Sequence, residues 1–81
     1  MNLLANTEVP VLNACVIPHR LRHGAIHGAL GTLAVSESMI LVAPHNPLPL
    51  LAEIEARPET FEMEYVMEGE PDWQLKFTRT A

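Results

Sequence analysis

The chain has 81 residues, of which 48% are hydrophobic and 19% charged, so we expect one compact domain rather than a disordered chain. Its net charge of −5 has the wrong sign for a nucleic-acid partner, and no apolar stretch is long enough to cross a membrane. The single cysteine, Cys15, has no partner for a disulfide within the chain, which favours a reducing, cytoplasmic location. Residues 1–10 lack the pattern of a secretory signal and form an N-terminal extension, while residues 11–81 form the predicted domain.

The first predicted elements are two strands with a helix between them. Residues 11–17 and 39–43 are apolar runs rich in β-favouring residues, and each ends beside a proline, which is typical of strands inside a sheet. Between the two runs, four apolar residues recur at spacings of three and four: Ile26, Ala29, Leu30 and Leu33. This pattern predicts an amphipathic helix of about 13 residues. Because three glycines weaken it, packing against the rest of the domain must hold this helix.

A second helix follows the second strand. Asn46 is a favoured N-cap residue and Pro47 suits the first helical position, so we expect the helix to begin there. Pro58 should end it. Within this helix, Glu53 precedes Arg57 by four residues, the order that favours an ion pair on a helix surface.

The C-terminal part predicts a β-hairpin. In residues 61–68 apolar side chains alternate with mostly acidic ones, residues 73–78 also alternate, and residues 69–72 have the composition of a turn. One face of the first hairpin strand should belong to the core, and it carries Phe61, Met63, Tyr65 and Met67. The complete order predicts an α+β fold, a two-layer βαβαββ sandwich with a four-stranded mixed sheet and two helices on one face. The strand order is left open.

The histidines suggest a metal site. His19, His23 and His27 are four residues apart, so they form a ridge along the first helix, and His45 follows the second strand in a loop at the same edge of the sheet. Two imidazoles one turn apart can chelate a divalent ion, and a third ligand completes a site with an open position. His23, His27 and His45 are therefore the leading candidates to bind Zn²⁺, Cu²⁺ or Ni²⁺. The alternative is that these imidazoles only form hydrogen bonds with backbone carbonyls.

Other residues support competing hypotheses. Cys15 would act as a thiol carrier with His19 as its base if a nearby cation activated it, and would otherwise be a small buried hydrophobe. Arg20 and Arg22 lie near a helix N-terminus, where they either bind an anionic small ligand or are simply solvated. The acidic face of the hairpin, or an exposed sheet edge, would bind a protein partner or a second copy of the chain.

Three features together form a distinctive pattern. Arg22 and His23 open the first helix, residues 45–50 have the sequence His-Asn-Pro-Leu-Pro-Leu, and Trp73 begins the last strand. Over about residues 11–79 this pattern resembles the bacterial family called domain of unknown function 2249. The resemblance implies a fold similar to that of the sulfur carrier TusA and the SirA-like proteins. It also implies that His23 and His45 are the characteristic histidine pair, while His19 and His27 lie outside the pattern.

These observations predict a small, non-catalytic binding module. It would hold a transition metal or a small ligand at the edge of the sheet through His23 and His45, assisted by His27 or His19, with Arg22 and Asn46 as additional ligand-binding residues. A protein-interaction or homodimerisation module is the first alternative. A TusA-like sulfur or thiol carrier that uses Cys15 is the second.

Overall fold

The computed structural model describes residues 9–69 and 71–81, in which four strands and two α-helices follow one another in the order βαβαββ. The elements are β1 (Val11–Asn13), α1 (His19–Gly31), β2 (Ser38–Ala43), α2 (Leu48–Glu55), β3 (Phe61–Met67) and β4 (Trp73–Arg79). The predicted α+β class and element order are confirmed. Neither of these two helices combines the length and apolar content needed to span a bilayer. Most of the predicted N-terminal extension, and Glu70 of the predicted turn, lie outside the described residues.

The strand order places both helices in one layer. The sheet has the order β1-β2-β4-β3, in which β1 is parallel to β2 and β4 is antiparallel to both of its neighbours. The connections from β1 to β2 and from β2 to β3 therefore advance across the sheet in the same direction. Because such crossovers are right-handed, both connecting helices lie on the same face. The two-layer prediction is confirmed, and the order that the sequence left open is now fixed.

One apolar core lies between the helices and the sheet. Its largest fully buried side chains come from α1, β2 and β4: Phe77, Leu30, Leu41 and Leu75. From the helices, Ile26, Leu50 and Ile54 join the same cluster. The two interior strands of the described sheet, β2 and β4, together contribute three of these side chains. The helices thus share one core, and this fixes how α1 and α2 lie against each other.

The first strand is shorter than predicted and lies at an edge of the sheet. Its pairing with β2 ends at Asn13, whose side chain accepts a hydrogen bond of 3.0 Å from the backbone N–H of Cys15. That contact begins a short 3₁₀ helix, Ala14–Val16, where the sequence predicted more strand. Val11 and Val16 are exposed, so the apolar run did not signal an interior position. The prediction of an interior strand here was wrong.

A β-bulge changes the end of the first hairpin strand. The register between β3 and β4 shifts between Tyr65 and Met67, so Val66 is the extra residue. Phe61, Met63 and Tyr65 pack against the core as predicted. After the bulge the alternation is broken, and Met67 is 39% exposed. Its predicted core position was therefore wrong.

The start of α2 also differs from the prediction. The helix begins at Leu48 with Pro47 in the N-cap position, and within the described part of the chain no side chain caps it. The Asn46 side chain instead accepts a hydrogen bond of 3.0 Å from the hydroxyl of Tyr65. Asn46 therefore ties the loop before α2 to β3, and the predicted N-cap was wrong. The helix ends before Pro58, as expected.

Truncation of Leu30 tests the shared core. The side chain is fully buried, so Leu30→Ala removes apolar contacts and leaves a cavity; it should lower the free energy of unfolding by about 2–5 kcal/mol. Leu21→Ala in the same helix is the matched control, because Leu21 is 55% exposed. Its effect should stay within about 0.5 kcal/mol. Urea unfolding followed by circular dichroism measures both variants, and equal effects would contradict the packing described here.

Candidate metal site

Two histidines of α1 lie side by side. His23 and His27 are one turn apart, and their ring centroids are separated by 4.8 Å with an angle of 42° between the ring planes. The side chain of His23 is 62% exposed and that of His27 is 23% exposed. The spacing of four residues thus places both imidazoles on one face of the helix, as predicted.

α2 places a carboxylate between these two rings. Oε1 of Glu53 lies 2.9 Å from Nε2 of His23 and 3.1 Å from Nε2 of His27. One potential ligand atom from each of the three residues lies within 4.8 Å of the others. The carboxylate is 47% exposed, so the group is open to solvent. Three side chains with metal-binding atoms therefore converge at the surface between the two helices.

Glu53 was not predicted as a potential ligand, because its spacing of four residues from Arg57 favoured an ion pair within α2. In the structure Arg57 instead contacts Glu59, with 3.0 Å between Nη2 and Oε2 and 3.2 Å between Nε and Oε1. Among the described residues, Oε1 of Glu53 contacts the two histidines. Glu53 and Glu55 both flank the buried Ile54, so the helical pattern alone could not indicate which of the two glutamates faces α1.

Arg57 connects this site to Glu59. Its Nη1 lies 2.9 Å from Nδ1 of His27 and 3.4 Å from the backbone oxygen of the same residue. The hydrogen bonds that Arg57 donates to Glu59 hold the pKa of that carboxyl below its ordinary value. A guanidinium group donates hydrogen bonds and accepts none, so Nδ1 of His27 must present a lone pair. The proton of the neutral His27 ring is then on Nε2, where it points to Glu53.

Two of the predicted metal ligands lie outside this group. His19 is the first residue of α1, and His45 lies in the loop after β2; both are exposed. Within the described part of the chain, the group of potential ligands around Glu53 includes neither of them. A role for His19 or His45 in metal binding stays a prediction.

Of the other predicted site residues, Arg22 and Asn46 form internal hydrogen bonds and Cys15 is exposed. Arg22 donates a hydrogen bond of 2.9 Å from Nη2 to the backbone oxygen of Ile17, while its buried Nε has no hydrogen-bond partner among the described residues. The side-chain oxygen of Asn46 accepts the hydrogen bond from the hydroxyl of Tyr65. Cys15 is exposed, so the interpretation of this residue as a small buried hydrophobe was wrong. The ligand-binding roles of Arg22 and Asn46, and the thiol-carrier role of Cys15, stay predictions.

Replacement of Glu59 tests its contact with Arg57. Because the pKa of Glu59 is lowered in the folded protein, the ionised carboxylate stabilises the fold fully above the pKa of the unfolded chain. This contribution is lost as the pH falls through the lowered pKa. The Glu59→Gln variant should therefore have a lower free energy of unfolding than the wild-type protein at neutral pH. This difference in stability should disappear in acid. Urea unfolding over a range of pH measures it.

Glu55→Gln is the control for this experiment. Glu55 is an exposed residue of α2, and among the described residues it forms no ion pair. The Glu55→Gln substitution therefore removes the same negative charge without removing a contact to Arg57. If Glu59→Gln and Glu55→Gln changed stability equally at every pH, the described contact would be contradicted.

Comparison with known proteins gives the family of this chain. The family model described as "Uncharacterized conserved protein (DUF2249)" matches residues 11–79. This match extends from the first residue of β1 to the last residue of β4, and therefore includes His23, His27 and Glu53. No curated protein and no solved structure matches the chain. Because the match covers all four strands and both helices, the chain belongs to the DUF2249 family.

Proposed function

We propose that this domain binds a divalent transition-metal ion through His23, His27 and Glu53. The observation that carries the proposal is the convergence of two imidazole nitrogens on one carboxylate oxygen, at 2.9 and 3.1 Å, from two different helices. Two imidazoles and a carboxylate suit Zn²⁺, Cu²⁺ and Ni²⁺. With three protein ligands, the ion keeps an open position for water or a small ligand.

The spacing of the three groups supports this donor set. Around a tetrahedral ion with bonds of about 2.1 Å, neighbouring ligand atoms lie about 3.4 Å apart. The contacts of Glu53 are a few tenths of an ångström shorter than this, and the three ligand atoms span at most 4.8 Å. Rotation of exposed side chains can adjust these distances, because the site is not enclosed by the core.

The exposure of the site supports reversible binding rather than a structural role for the ion. The apolar core is formed by side chains of both helices and the sheet, and none of the three proposed ligands belongs to it. Folding therefore does not depend on the metal, in contrast to structural zinc sites, where binding supplies the folding free energy. We propose a binding module, and we retain the TusA- and SirA-like fold in the proposal because the βαβαββ order supports it.

Calorimetric titration of untagged protein with Zn²⁺, Cu²⁺ and Ni²⁺ tests the proposal. We expect at least one ion to bind at micromolar or lower concentration, because three ligands converge. His23→Ala and Glu53→Gln should each weaken binding by about tenfold or more, since even residues that only orient a ligand have effects of this size. Protons compete for imidazole nitrogens, so the affinity should also fall as the pH is lowered.

Two controls make this titration specific. Glu55→Gln removes one negative charge from the same helix without removing a proposed ligand, and it should leave the affinity unchanged. His45→Ala and His19→Ala examine the histidines that lie outside the group; an unchanged affinity assigns binding to His23, His27 and Glu53 alone. Failure of all three ions to bind at micromolar concentration, or equal affinities for Glu53→Gln and Glu55→Gln, would overturn the proposed function.

A further inference from the structure

Arg57 holds His27 in a form that cannot bind a metal ion through Nε2. The guanidinium Nη1 lies 2.9 Å from Nδ1 of His27 and can only donate. Nδ1 therefore carries the lone pair, and Nε2 of the neutral ring carries the proton. Yet Nε2 is the atom that lies 3.1 Å from Glu53 and that the proposed function requires as a ligand. The contact with Arg57 and coordination through Nε2 thus demand opposite positions of the ring proton.

His23 has no such obstacle. Its Nε2 also contacts Glu53, but the ring is mostly exposed and, among the described residues, no hydrogen bond reaches its Nδ1. When an ion binds Nε2 of His23, the proton of the neutral ring can move to Nδ1 and face water. Coordination through Nε2 therefore requires the loss of a hydrogen bond with Arg57 at His27, but it requires no such loss at His23.

We propose that metal binding at His23, His27 and Glu53 displaces Arg57 from His27. Because this hydrogen bond must be broken, Arg57 lowers the affinity of the site for the metal. This inference rests on the proposed function. In the exchange, the ion forms bonds to the two Nε2 atoms and to the carboxylate of Glu53. Each ring loses its Nε2 proton and gains one at Nδ1 through solvent, so the ring charges are unchanged and nothing is oxidised or reduced. Arg57 remains protonated and loses its hydrogen bond to Nδ1.

The surroundings of Arg57 allow this displacement. The backbone oxygen of His27, at 3.4 Å from Nη1, is an alternative acceptor that remains when the metal is bound. Two further atoms of the guanidinium stay engaged with Glu59. Arg57 also lines a cavity of about 590 Å³ beside α2 and β3, together with Ile54 and Phe61, which gives the side chain room to shift. Metal occupancy would therefore alter one wall of this cavity.

Calorimetry on Arg57→Gln tests the inference. Glutamine cannot place a charged donor on Nδ1, and its amide oxygen can accept a proton from that atom. Zn²⁺ should bind Arg57→Gln about tenfold or more tightly than the unchanged protein, since a hydrogen bond from a charged donor no longer has to be broken. Arg20→Gln, which removes the same charge from an exposed position on α1, should leave the affinity unchanged.

Salt and the ring protons separate this mechanism from simple charge repulsion. Repulsion between Arg57 and the ion is screened by concentrated salt, so a gain in Arg57→Gln that vanishes in salt would overturn the inference. NMR of the ring nitrogens, measured without metal, should show the proton of His27 on Nε2 in the unchanged protein. In the Zn²⁺-loaded protein it should lie on Nδ1.

The possible results distinguish the two proposals. Equal Zn²⁺ affinities for Arg57→Gln and the unchanged protein would overturn the inference and leave the proposed function standing. A proton on Nδ1 of His27 in the metal-free protein would do the same. Absence of Zn²⁺ binding in both proteins, together with no binding of Cu²⁺ or Ni²⁺, would overturn the proposed function and the inference with it.

Discussion

The packing of both helices against one face of the sheet determines where the potential ligands lie. His27 follows the buried Ile26 of α1, and Glu53 precedes the buried Ile54 of α2. The two side chains are 26 residues apart in sequence, and they meet because their apolar neighbours share one core. The convergence of these side chains is thus a consequence of core packing.

Local patterns were sufficient to predict most of the fold. The spacing of Ile26 and Leu30 predicted a helix of the observed length, because a helical stripe depends only on residues within two turns. The edge position of β1 could not be predicted in this way, because apolar composition does not distinguish an interior strand from an edge strand whose outer side chains are exposed. Met67 was misplaced for a related reason: one extra residue, Val66, reverses the faces of every position after it.

The candidate site was predicted only in part. The proximity of His23 and His27 follows from their spacing on one helix, which the sequence displays directly. The prediction of Glu53 as a potential ligand would have required knowledge of how α2 packs. The ion pair expected between Glu53 and Arg57 from their spacing of four residues contributes only about 0.2–0.5 kcal/mol. Contacts across the fold readily outweigh so small a preference. The contacts of Glu53 and Arg57 with His27, which is 26 and 30 residues away in sequence, illustrate the point.

The central place of β4 has a consequence for how the protein is made. β4 pairs with both β2 and β3, although it is the last of the four described strands to be synthesised. The core cannot close until Leu75 and Phe77 have been synthesised. A premature stop before Trp73 would remove the middle of the sheet rather than an edge, leaving β2 and β3 with unpaired backbone groups that favour aggregation. Chains truncated before Trp73 would therefore be unfolded polypeptides rather than slightly shortened domains.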